Sequence, residues 1–136
     1  NRQENSVADG QYLVRNIIGL DAEKGIIGVA DEVTEGDAVI FTMRDGQRAR
    51  EDLGQMLRRQ CEALGHKKPA FGIYFNCCAR GNSLYGIPGI DSAYIRQALG
   101  ETPLIGLFGG YELAPLGRAN HLFVYTGVLA LISENE

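Results

Sequence analysis

The chain has 136 residues, 45% of them hydrophobic and 22% charged, values that fit one globular domain rather than two and leave no need for disulfide staples. Its net charge is −4, and the densest basic groups are only Arg58-Arg59 and Lys67-Lys68, which disfavours nucleic-acid binding through phosphate neutralisation. No apolar run reaches the roughly 20 residues needed to cross a bilayer, and no membrane role is expected.

Residues 1–10 are polar and read as a linker or tail, with a single domain expected over 11–134. The opening Asn-Arg-Gln-Glu-Asn shows no signal peptide. Tyr12 to Leu20 reads as a strand, and Gly25 to Ala30 as a second. The turn chemistry of Asp21 to Gly25 joins them into a hairpin. Ala38 to Met43 reads as a third strand after a turn at Glu35-Gly36-Asp37.

Periodicity then changes. Ala49, Leu53, Met56, Leu57, Cys61 and Leu64 recur at helical spacing, and Gly65 supplies a stop. Cys61 lies on that apolar stripe and reads as core. Pro69 to Phe75 is almost continuously apolar, as a central strand buried on both faces would be. A loop follows from Gly81 to Pro88. Asp91 is placed to cap a helix over Ser92 to Leu99, ended by Gly100. Pro103 to Phe108 is another buried strand, and Asn120 to Ile132 reads as one long strand. The expected class is α+β, a mixed sheet of about six strands with two helices, in the order βββαβαββ or βββαβαβ.

Ligands in open α/β sheets bind beyond the carboxyl ends of central strands. Two sequences hold such positions, Asn76 to Gly81 and Gly109 to Pro115, and they converge if their strands are parallel neighbours. Arg80 carries a planar fork suited to a carboxylate. Its alternative is a structural ion pair with Glu112 or Asp91. Glu112 could bind a ligand amine, act as a base or neutralise Arg80. Cys77 and Cys78 alternate faces on an extended strand, so one could face a pocket. A nucleophile would need His121, oriented by Glu112, yet no local sequence brings these groups together. A buried cysteine acting as a small hydrophobe is the plainer reading. The odd count of three, with an adjacent pair, is a poor disulfide framework and fits a reducing cytoplasm. No CxxC pair supports zinc. No GxxxxGK[ST] or GxGxxG opens a helix, so no nucleotide or other cofactor is expected. His66, just past a helix end, reads as a cap or a surface group.

These segments together resemble the C-terminal domain of the FIST family, the F-box and intracellular signal transduction proteins. The resemblance rests on Phe75-Asn76-Cys77-Cys78-Ala79-Arg80-Gly81, similar to a Cys-x-x-Arg-Gly pattern. It continues in Gly106-Leu107-Phe108-Gly109-Gly110-Tyr111-Glu112-Leu113, in Asn120-His121-Leu122, in Tyr125 to Leu131, and in the opening Tyr12 to Asp21. Cys78 beside Cys77 and the loop Asn82 to Gly89 depart from the pattern. The resemblance implies a cytoplasmic sensory domain that binds an amino acid or related small metabolite without turnover. It also implies an N-terminal FIST partner domain in the same polypeptide. The ligand-binding set expected is Arg80, Glu112, Cys77, Cys78, Gly81, Gly110, Tyr111 and Asn120. The alternatives are a Cys-dependent hydrolase or transferase, and a protein-docking module that exposes an apolar patch.

Overall fold

The computed structural model describes residues 12–134. The polar segment expected as a tail lies outside that range. Along the chain run β1 (Ile17–Asp21), β2 (Ile26–Val29), α1 (Gly46–Leu64), β3 (Phe71–Cys77), α2 (Asn82–Tyr85), α3 (Ile90–Leu99), β4 (Leu104–Gly109), β5 (Glu112–Leu116), β6 (Ala119–Phe123) and β7 (Gly127–Ile132). The class is α+β. The seven strands fall into three sheets, β1-β2, β4-β3-β7 and β5-β6.

The central sheet is mixed. β3 runs parallel to β4, with Cys77 opposite Gly109, and antiparallel to β7, with Asn76 opposite Gly127. α1 and α3 cover one face. Leu53 and Leu57 of α1 and Ile95 of α3 pack on Tyr74 of β3, with Met56, Tyr94, Leu99 and Leu129 around them. These alternate, i and i+4 positions are the apolar stripes that the helical spacing dictates. Asp45 caps α1, its Oδ1 accepting from the backbone N–H of Gln47 at 2.8 Å and of Arg48 at 2.9 Å. Gly65 ends α1 at φ 59° and Gly100 ends α3 at φ 66°, both in the region that favours glycine.

Five expectations are corrected. Ala38 to Met43 forms no strand: it pairs with none of the described strands, and a strand needs a ladder partner. Val39, Ile40, Phe41 and Met43 are exposed. The segment Gly81 to Pro88 is not all loop, because Asn82–Tyr85 makes one helical turn, α2. Asp91 does not cap α3; Gly89 holds that place, and Asp91 sits inside the first turn with its carboxylate directed to other partners. The run Asn120 to Ile132 is two strands, β6 and β7, separated at Val124 to Thr126, where Tyr125 takes φ 61°. β5, which begins within the segment Gly109 to Pro115 read as a strand-end loop, pairs with β6 across a turn at Gly117 (φ 62°).

β4 is an edge strand. Ile105, Leu107 and Phe108 on it are more than half exposed, and Phe71 and Phe75 of β3 are also exposed. Among the described residues no helix is long and apolar enough to cross a membrane.

Candidate functional site

The parallel pairing of β3 and β4 brings the two loops together. The Cys78 N–H donates to the Gly109 carbonyl at 2.8 Å, tying the end of one strand to the end of the other. The chain then turns, with the Arg80 N–H donating to the Cys77 carbonyl at 2.9 Å. That turn returns the Arg80 side chain towards the helices.

There it meets Asp91. Arg80 Nε donates to Asp91 Oδ2 at 3.0 Å and Nη2 to Oδ1 at 3.2 Å. Nη2 also donates to the Tyr85 hydroxyl at 2.8 Å. Three more donors converge on the same carboxylate: Tyr85 Oη at 2.6 Å, Tyr74 Oη at 3.0 Å and Asn76 Nδ2 at 3.0 Å. All five residues are buried. Burial pushes the Asp91 carboxyl up, but the Arg80 and Tyr85 hydrogen bonds and the guanidinium charge outweigh it and hold the carboxyl below its usual range. Burial opposes the Arg80 charge, yet Asp91 more than compensates and raises its affinity for the proton. Burial and then the Asp91 charge and hydrogen bond raise both tyrosine hydroxyls. The network is saturated at Asp91 and is the ion pair weighed as the alternative role of Arg80, made with Asp91 and not with Glu112.

Two clefts flank this network. One, of about 240 Å³, lies over β4 and is lined by Tyr74, Asn76, Gly81, Tyr85, Asp91 and Leu104 to Phe108, among others. The other, of about 200 Å³, is lined by Phe75, Asn76, Leu107, Gly109, Tyr111, Glu112 and Leu113. Asn76 belongs to both. Its Nδ2 faces Asp91, because a carboxylate only accepts, and its Oδ1 is buried without a hydrogen-bond partner.

Glu112 opens β5 and is 3% exposed, with neither carboxylate oxygen in a hydrogen bond among the described residues. A buried carboxylate in that condition is costly. Burial pushes its carboxyl above the usual range. The Thr126 backbone N–H and the Arg80 guanidinium oppose the shift from positions that make no hydrogen bond of ordinary geometry.

The expected site residues divide. Glu112 and Tyr111 line the second cleft and Gly81 the first. Arg80, Cys77, Cys78, Gly110 and Asn120 line neither. Cys77, the last residue of β3, is buried, and Cys78, in the turn that follows, is exposed. Asn120 is exposed on β6, opposite Pro115. Among the described residues no hydrogen bond joins His121 to Glu112 or to either cysteine, so the nucleophile arrangement is not assembled. Cys61 is half-buried, its Sγ 3.7 Å from the Ala98 carbonyl on α3. Among the described residues no cluster of three potential metal ligands occurs. Sequence reasoning missed Asn76, Tyr74 and Tyr85. A polar Asn inside an apolar strand was the available signal, with Tyr74 two residues before it on the same face.

An uncharacterized protein of Mycobacterium tuberculosis is 34% identical over 122 residues, covering 90% of this chain and 32% of the relative. An uncharacterized protein of Mycobacterium bovis is 29% identical over 126 residues, covering 93% of this chain and 32% of the relative. The chain thus spans about a third of the length of the curated relatives it matches. The FIST C domain matches residues 2–115, most of the chain. Together with the strand order and loop convergence described above, that match places this chain in the FIST C domain family.

Proposed function

We propose that this domain is a cytoplasmic sensory module of signal transduction that binds an amino acid or a related small metabolite without chemical turnover. One observation carries the reading. Glu112 is buried at a cleft with both carboxylate oxygens unpaired among the described residues. Buried polar groups in folded proteins are nearly always satisfied, and an orphaned carboxylate at a cleft calls for a donor from outside the described chain. The apolar walls and the few polar groups are those of a small-molecule site. Membership in the FIST C domain family supports the sensory role.

A thermal-shift screen of the chain against amino acids, amines, polyamines and small carboxylates tests this. A ligand at about 100 times its dissociation constant adds about 2.7 kcal/mol of stability. Stabilisation by at least one amino compound is expected. A flat response to every amino compound sinks the reading.

A second reading is compatible with the first. β4 carries an apolar edge, Ile105, Leu107 and Phe108, which suits docking of an N-terminal FIST domain in the same polypeptide. Hydrogen exchange across β4 should then slow in the longer polypeptide relative to the isolated domain. Equal exchange in both removes this reading.

A further inference from the structure

We infer that the Glu112 cleft selects a small primary amine with an apolar body and no carboxylate, its ammonium held by the Glu112 carboxylate. The inference rests on the ligand-binding reading and narrows its ligand class.

The polar inventory decides the charge. Glu112 Oε1 and Oε2 are buried acceptors without partners among the described residues. A primary ammonium has three donors and no acceptor, so it suits a buried carboxylate that only accepts. A divalent cation does not fit, because calcium takes six to eight oxygens and one carboxylate falls short.

The walls decide the body. Phe75, Leu107, Tyr111 and Leu113 line the cleft, and its volume of about 200 Å³ suits a short aliphatic chain or one ring.

The absence of a lining cation excludes the zwitterion. Among the described residues no Lys, Arg or His lines this cleft. The nearest strong cation in the sequence pattern, Arg80, spends Nε and Nη2 on Asp91 and Tyr85. A ligand carboxylate would therefore lie in the Glu112 cleft without a counter-charge, which costs affinity. The raised proton affinity of the empty Glu112 carboxyl fits a group that awaits a cation.

Calorimetric titration of the chain at neutral pH tests this with matched probes. Phenethylamine, phenylalanine and 3-phenylpropionate share one body, and isopentylamine and leucine share another. One or both amines should bind, and the matching amino acid should bind at least about tenfold more weakly, since an uncompensated like charge costs more than 1 kcal/mol. Phenylpropionate should not bind. Glu112→Gln should lose amine affinity by about tenfold or more. Leu107→Trp, which fills the cleft and leaves Glu112 in place, should lose it as well. An amino acid binding as tightly as its amine overturns the selectivity and leaves the ligand-binding reading standing. Amine affinity unchanged in both variants overturns the site. Failure of every amine and amino acid overturns the inference together with the reading beneath it.

Discussion

Arg80 grips Asp91 through two hydrogen bonds, Nε to Oδ2 at 3.0 Å and Nη2 to Oδ1 at 3.2 Å, in the buried space between β3 and α3. The pair joins the strand-end loop to the helix that crosses back to β4. Removing one partner leaves the other charge buried. Asp91→Ala should therefore destabilise the domain by about 3–5 kcal/mol, whereas the double change Arg80→Met with Asp91→Leu should restore most of the loss. Urea unfolding of the wild type and the two variants measures both. A double variant as unstable as the single one would show that the charges themselves, rather than their compensation, hold this region.

Gly127 admits the Tyr74 side chain. A Cβ at that position would collide with the Tyr74 hydroxyl and with the ring carbon that bears it. Gly127→Ala should cost about 1–3 kcal/mol through overpacking. Tyr74→Phe should cost about 1 kcal/mol on its own, because Asp91 loses a donor at 3.0 Å. Combined, the two should cost less than their sum, since the hydroxyl that clashes is gone. Strict additivity in a denaturation cycle would contradict this contact.

Glu112 and Asp91 give opposite pH signatures. The folded carboxyl of Glu112 is raised above its ordinary 4.5, so the folded state holds a proton that the unfolded state has released. Its penalty is absent below about pH 4 and grows as pH rises through the folded value. Glu112→Gln should accordingly stabilise the domain by about 1 kcal/mol at pH 7, and the gain should vanish near pH 4. The folded carboxyl of Asp91 is held below its ordinary 3.8, so its contribution is present above that value and is lost as pH falls through the folded one. Melting temperatures of wild type, Glu112→Gln and Asp91→Asn across pH 3–8 separate the two. A pH-independent gain in Glu112→Gln would contradict the buried, unpaired carboxylate.

The adjacent cysteines should behave differently. Cys78 is exposed and Cys77 is 3% exposed. Maleimide should modify Cys78 in the native protein, and Cys77 only after unfolding. Peptide mass spectrometry locates the label. Native labelling of Cys77 would show that its strand end is open.

The local signals in the sequence were legible and the partnerships were not. The β1-β2 hairpin followed from Asp21 to Gly25, α1 from its apolar spacing, and the parallel β3-β4 unit from two apolar runs with a helix between them. Each of these is set by neighbours in the chain. Ala38 to Met43 has strand composition, yet strand formation is a tertiary property and the segment pairs with none of the described strands. β5 contains Pro115, which argues against a central strand, but β5-β6 is a two-stranded ribbon that tolerates it at an edge. The two loops at the strand ends were found by topology. That Arg80 would choose Asp91 over Glu112 depends on a turn and a short helix, α2, that no periodicity announces. That choice in turn left the Glu112 carboxylate without a hydrogen-bond partner among the described residues.

The state of the Glu112 carboxyl tests the account most directly. Carbon-13 NMR of side-chain-labelled glutamate, with Glu112→Gln to assign the signal, reads its titration in the native protein. The account predicts one carboxyl that titrates above the ordinary glutamate range, disappears in the variant and moves down when an amine ligand is added. A Glu112 signal that titrates with the exposed glutamates, and does not respond to any amine, would contradict it.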